Sequence, residues 1–296
     1  MNFIKEKEKI YAKDEYGNIV AEIDFIEVEK GVYDICHTFV DESLRGKGIA
    51  SMLVQEAVKE IQSRNGKIKA SCSYAKKWIE KKMKIEKMLE GINVLCHSSI
   101  RINKGKVIYI DPFKIEKDFK DADIIFITHD HYDHYSEPDI DKVRKDETIV
   151  VAPESLLENL YMRGFKRENI IVTEPGEKDI IGDIVFETVP AYNINKQFHP
   201  KEKNWVGYIL EIAGVRYYIA GDTDFLEENR NVLCDVAFVP VGGTYTMDYK
   251  EAADFVNEIQ PKIAIPIHYG SVVGTRKDAE DFVSLLNPEI KSLIPY

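Results

Sequence analysis

Ile124-Ile125-Phe126-Ile127-Thr128-His129-Asp130-His131-Tyr132-Asp133-His134 decides how the rest of this chain is read. The run 124–127 is short, continuous and rich in β-branched residues, the pattern of a buried strand. Three imidazoles and two carboxylates follow within six residues, so they stand at the strand's C-terminal end. Neutral imidazole nitrogen and carboxylate oxygen form the ligand set of zinc and similar first-row metals. The chain has seven histidines, and three of them fall in this window. A solvated polar loop has no reason to concentrate them so.

One cluster supplies part of a site, and the remaining ligands should come from the ends of other strands. Two places fit. Ala220-Gly221-Asp222-Thr223 follows the apolar Tyr217-Tyr218-Ile219, and His268-Tyr269-Gly270 follows Ile265-Pro266-Ile267. A single Asp after a strand is commonly a turn residue or a helix cap, and a single His is commonly structural. Their occurrence together with the first cluster makes them metal-ligand candidates.

These residues resemble the metallo-β-lactamase-fold hydrolases over residues 91–296. The HxHxDH motif of that family stands here as His129, His131, Asp133 and His134. Its bridging Asp matches Asp222 and its last His matches His268. The resemblance is nearest to small metal-dependent hydrolases related to ascorbate-lactone hydrolases. Their Gly-His-Ser-Ser-like element stands here as Cys96-His97-Ser98-Ser99, and their Pro-Val-Gly-Gly-Thr-Tyr-Thr-Met segment as 240–247. It implies an αββα sandwich with two divalent metals, zinc first, with manganese or iron also suited to the ligands. His129 and His131 would bind the first metal. Asp133, His134 and His268 would bind the second, and Asp222 would bridge them. Asp133 would also orient the nucleophile, an activated water whose pKa the metals lower. The substrate would be a small-molecule ester, lactone, amide or phosphodiester. One departure stands out. The family's further His after a middle strand is absent from Val189-Pro190-Ala191-Tyr192-Asn193, where Asn193 takes roughly its place. His199, six residues on, is either the missing ligand or a loop residue. His97 is either an active-site group or a core histidine.

The first part of the chain has a different character. Strands over 19–28 and 32–40 precede Arg45-Gly46-Lys47-Gly48-Ile49-Ala50, which opens a helix with apolar Ile49, Leu53, Ala57, Val58 and Ile61. A strand at 68–72 and a charged helix at 74–89 follow. The R-x-x-G-x-A turn has Gly for close backbone approach, and free N–H groups at a helix start attract phosphate. Together with Cys72-Ser73-Tyr74, this order resembles small GNAT-type N-acetyltransferases over about residues 10–86. It implies that 45–50 holds the pyrophosphate of acetyl-CoA and that Cys72 is catalytic. Cys72 remains open between a nucleophile, which needs a lowered pKa, and an inert buried thiol.

The expected architecture is therefore a two-domain α+β/α/β protein. A GNAT-like α/β domain spans 1–86 and an αββα metallo-β-lactamase domain spans 91–296, with the boundary near residue 87. Further strands are expected at 92–96, 99–102, 107–110, 184–189, 206–212, 215–220, 236–239 and 263–267, and helices at 248–259 and 276–286. The alternative assignment makes acetyl transfer the working activity, with the metal domain positioning or processing the acceptor.

Composition limits the partners. Among 296 residues the net charge is −11, and residues 1–86 carry 16 basic and 15 acidic side chains against 24 and 36 in the remainder. An acidic second part argues against nucleic acid as substrate. No apolar run approaches the roughly 20 residues needed to span a bilayer. The N-terminus has no apolar h-region, and the four cysteines form no CxxC. A cytoplasmic enzyme with reduced thiols is expected, while oligomeric state leaves no mark in the sequence.

Overall fold

The computed structural model describes residues 1–296, which divide into two compact units, Met1–Lys87 and Met88–Tyr296.

The first unit is built on one five-stranded sheet, β1 (Ile4–Lys5), β2 (Lys9–Lys13), β3 (Ile19–Glu29), β4 (Val32–Val40) and β5 (Lys67–Ala70), in that spatial order. Helix α1 (Ile49–Ser63) connects β4 to β5, and α2 (Ser73–Leu89) follows β5. Period-2 alternation on β3 buries Ala21, Ile23 and Phe25. The 3–4 spacing on α1 buries Leu53, Val54, Ala57, Val58 and Ile61 against them. Each large side chain of this kind contributes about 1.5–3 kcal/mol on burial, so Leu53→Asp would open the unit's core. β4 and β5 are parallel, pairing Val32–Ile35 with Lys67–Ala70, and β4 runs on to Val40 beyond them. The Asp34 carboxylate accepts from both Ser71 N and Ser71 Oγ at 2.7 Å. This ends the strand at Ala70 rather than at Cys72, because Ser71 bonds to a side chain instead of to the ladder.

The second unit contains two sheets. One holds β6 (Ile92–Cys96), β7 (Ser99–Asn103), β8 (Val107–Ile110), β9 (Ala122–Phe126), β10 (Arg144–Pro153) and β11 (Ile170–Thr173), neighbours in sequence order. The other holds β12 (Lys178–Ile181), β13 (Ile184–Pro190), β14 (Val206–Ile212), β15 (Val215–Ile219), β16 (Val236–Pro240), β17 (Ile263–Ile267) and β18 (Lys291–Ser292). Aromatic residues join their inner faces. The Phe126 ring meets Phe186 at 5.5 Å and Tyr208 at 5.0 Å between centroids, and Tyr208 Oη donates to Ile127 O at 2.7 Å. Helices α3 (Glu137–Val143) and α4 (Leu157–Met162) cover the outer face of the first sheet. Helices α5 (Tyr249–Ile259) and α6 (Arg276–Ser284) cover that of the second. The result is a four-layer αββα sandwich. No helix is long and apolar enough to cross a membrane.

Strand direction places the chemistry. β8 and β9 are parallel neighbours, as are β15, β16 and β17. Their C-terminal ends deliver Asp111, His129, Asp222 and His268 to one edge of the sandwich, the position where open α/β sheets bind ligands. Several elements are not apparent from hydropathy. β2 has lysine at both ends, β10 begins with Arg144-Lys145-Asp146-Glu147, and β12 is an exposed edge strand. Pairing with neighbours, rather than their own pattern, makes them strands.

Candidate metal centre

The loop after β9 brings His129, His131, Asp133 and His134 together, with His129 and His134 fully buried. Asp222, 4% exposed, stands at the centre. Its Oδ2 lies 2.9 Å from His268 Nε2, 3.2 Å from His199 Nε2 and 3.9 Å from His129 Nε2, and its Oδ1 lies 3.3 Å from His134 Nε2. Around it the donor atoms fall into three overlapping groups: His129, His131 and His199; His129, His134 and Asp222; and His97, Asp133, His134 and His268. Each group's ligand atoms lie within 4.8 Å of one another.

Several of the donors are also unpaired. His134 Nε2, His199 Nε2, His268 Nδ1 and Nε2, both His97 ring nitrogens and Asp222 Oδ1 are buried without a hydrogen-bond partner. Buried polar groups are normally satisfied, and leaving one unpaired costs about 1–3 kcal/mol. Five side chains carry these atoms, and each can turn one donor toward the cluster, an arrangement that fits divalent cations. The ionisation pattern agrees. Burial, reinforced by His134, holds His129 well below the ordinary imidazole range. Burial and His199 lower His131. Metal ligation requires such neutral imidazoles. Burial opposes ionisation of Asp133, but His97 and His134 prevail and hold its carboxyl down at about 2. At His134 burial is outweighed by Asp222 and Asp111, which raise its pKa well above 6.5. The carboxylates thus call for positive charge at that spot.

Support comes from a residue that the motif reading passed over. Asp111, at the end of β8, is 1% exposed. It accepts from Thr128 N at 2.8 Å and Thr128 Oγ1 at 2.6 Å, and its Oδ2 lies 2.7 Å from His134 Nδ1. That carboxylate sets the His134 tautomer and aims Nε2 inward. Its signal was the one that found Asp222, an Asp directly after an apolar strand.

The structure corrects the placing of Asn193. Its Nδ2 donates to Asp224 Oδ1 at 3.0 Å and Tyr245 O at 2.9 Å, while its Oδ1 accepts from His199 N at 3.1 Å and lies 3.0 Å from His199 Nδ1. Every polar atom of the amide is engaged within the protein. It orients His199. Asp224 binds Ile194 N at 2.8 Å and Lys196 Nζ at 2.5 Å, folding the 192–199 loop back until His199 sits 5.0 Å from His129 and 4.8 Å from His131, ring centre to ring centre.

His97 is buried, its ring tilted against that of His268 at 3.9 Å between centres, with Nε2 at 3.3 Å from Asp133 Oδ2. Both histidines have left-handed backbones, φ 56° and 58°, a conformation costly for residues with a Cβ. His268 N donates to His97 O at 3.0 Å, and Tyr296 Oη donates to His97 O at 3.0 Å and Tyr269 O at 3.3 Å. These bonds hold the strained pair. Gly242 is part of the same wall, because a Cβ there would meet His268 O at 2.4 Å.

Residues 91–268 match the family described as the beta-lactamase superfamily domain. The chain belongs to that superfamily. A UPF0173 metal-dependent hydrolase from Lysinibacillus sphaericus is 32% identical, over 67% of this chain and 93% of its own length. One from Pyrococcus furiosus is 30% identical, over 69% and 95%. A Parabacteroides distasonis structure, provisionally described as a metal-dependent hydrolase, is 33% identical with a TM-score of 0.59, covering 69% of this chain and 91% of that one. The chain is thus a metal-dependent hydrolase of that superfamily with a His/Asp cluster. Residues 9–88 match a second family described as GCN5-related N-acetyl-transferase, which covers a smaller share of the chain.

In the first unit, Gly46 and Gly48 have φ of 78° and 74°, and Gly48 is the N-cap residue of α1. The left-handed backbone, rather than space, requires glycine there, since a Cβ on either meets nothing within 4 Å. Arg45 pairs with Glu42 at 2.9 Å in solvent. Cys72 sits just before α2, with Sγ 3.5 Å from Thr38 Oγ1 on the part of β4 that runs past β5 and pairs with β3 alone. Burial raises its pKa, but the backbone N–H groups of Ala75 and Tyr74 and the Thr38 hydroxyl outweigh burial, so the thiol is net more acidic than usual.

Proposed function

We propose that residues 91–296 form a two-metal hydrolase. His129, His131 and His199 would hold the first ion, and Asp133, His134 and His268 the second, with Asp222 between them. The three overlapping donor groups around Asp222, with unpartnered buried donors on His134, His199, His268 and Asp222, carry this reading. When bound, the ions would supply a water of near-neutral pKa and a Lewis acid for the substrate's carbonyl or phosphoryl oxygen. Zinc suits the imidazole-rich donors, and manganese or iron also accept them. The chain's own contributions are positional. His97 holds Asp133 ionised, and Asp133 is placed to accept a proton from the attacking water. Asp111 and Asn193 aim His134 and His199 from behind. Sandwich layers wall the donors from bulk water. His131→Ala is expected to abolish hydrolysis of a panel of esters, lactones and phosphodiesters while leaving the circular dichroism spectrum intact. Unchanged turnover would refute the assignment.

A second reading concerns residues 1–86. The lowered Cys72 pKa, at a place where β4 extends past β5, supports an acetyl-CoA-dependent transferase there, with 45–50 at the pyrophosphate. Cys72→Ala would then abolish acetyl-CoA turnover, and His131→Ala would leave it unchanged. Acetyl transfer that survives Cys72→Ala removes that residue from the chemistry.

A further inference from the structure

The sandwich edge holds a cavity of about 300 Å³ beside the donor cluster, at the small end of the roughly 300–1,000 Å³ range of small-molecule sites. Its floor is the metal-ligand set. Its remaining lining is Tyr132, Phe198, Tyr245 and Val272. No lysine or arginine lines it. The nearest cation on this loop, Lys196, is spent on Asp224 at 2.5 Å.

The apolar groups are arranged rather than scattered. Phe198 and Tyr245 meet edge to face, 4.6 Å between centroids at 87°. Tyr132 also lines the cavity and meets Phe113 edge to face at 6.1 Å. Tyr132 is 66% exposed and Phe198 46% exposed, so both rings present apolar faces at the cavity mouth. The placement of Phe198 is itself determined by the site, because it precedes His199 in the loop that Asp224 and Asn193 fold back.

These features separate substrates that share the same bond chemistry. Transfer at a phosphodiester develops charge on non-bridging oxygens, and sites for it commonly add arginine or lysine donors to the metals. Among the lining residues none would meet such charge, and Lys114, near Phe113, is engaged with Ser271 Oγ at 2.6 Å. A flat apolar group, by contrast, gains contact with three rings. We propose that the substrate is a small uncharged carboxylic ester or lactone whose apolar, ring-bearing part lies among Tyr132, Phe198, Tyr245 and Val272. This rests on the two-metal hydrolase reading. In the reaction a water oxygen bonds to the acyl carbon, the acyl C–O bond breaks, and the water's protons end on the alcohol and in the medium. The products are one carboxylate and one alcohol group, joined in one molecule when the substrate is a lactone.

The test uses the metal-loaded full chain and four probes: benzyl acetate, ethyl acetate, 4-(acetoxymethyl)benzoate and bis(4-nitrophenyl) phosphate. The first three share an acetyl group and leave as alcohols of similar acidity. Benzyl acetate should exceed ethyl acetate in kcat/KM by about fivefold or more from aromatic contact, and the carboxylated analogue by a similar factor because its charge would lose water among apolar rings. Phe198→Ala should erase most of the benzyl-over-ethyl ratio with metal content retained, and Tyr245→Phe, which keeps the ring, should preserve it. Preference for ethyl acetate, for the anionic ester or for the phosphodiester overturns the inference and leaves the hydrolase standing. Turnover of none of the four overturns both.

Discussion

The two halves of the metal cluster are built by different means. On one side, His97 and His268 come from the ends of two strands and are held, against backbone strain, by ring contact, the His268 N to His97 O bond and the Tyr296 hydroxyl. On the other, His199 comes from an irregular loop and is held by an amide and a carboxylate, Asn193 and Asp224. The first half is rigid because strands deliver it. The second is rigid only because its hydrogen bonds are complete. Each half should therefore fail in its own way when its supports are removed.

The largest effect is expected where the halves meet. Asp222→Ala should lower metal content below one ion per chain and reduce hydrolysis at least a hundredfold, more than loss of an outer partner costs. Retention of both ions would show that the halves are independent. Asp111→Asn comes next. It weakens the carboxylate behind His134 and should reduce affinity for the ion on that side by about 10–100-fold, measured by competition with a chelator. Asn193→Ala should cost about tenfold in affinity for the other ion, because His199 loses its orienting partner while its own donor remains. Equal weakening of both ions in this variant would erase the distinction between the halves. The smallest effect belongs to Tyr296→Phe, which removes bonds to two carbonyl oxygens. It should lower stability by about 1 kcal/mol in denaturant titration, with little change in the ion near His199.

The same contrast explains what could be read before the fold was known. His129, His131, Asp133, His134, Asp222 and His268 stand immediately after apolar strands, where chain direction alone carries them to the sheet edge. Cys96 to Ser99 and the Gly242 turn are legible for a similar reason. Asp111 follows the same rule, yet a single Asp after a strand looks like an ordinary turn residue, and nothing nearby in sequence marks its partner His134. His199 is harder, because its position depends on a loop folded back by contacts 25 or more residues away in sequence, from Asp224. The β10 and β12 strands were hidden because charged residues at an entry or an edge mask the period-2 pattern, and their neighbours complete them. Cys72 is intermediate. Its place before a helix was visible, but the balance between burial and the N–H groups that lower its pKa needed coordinates.

Metal stoichiometry tests the central claim most directly. Elemental analysis of the protein reconstituted with zinc, compared with His199→Ala treated alike, should give about two ions per wild-type chain and about one in the variant. A wild-type chain that takes up one ion or none, or a variant that still holds two, contradicts a two-metal centre completed by His199.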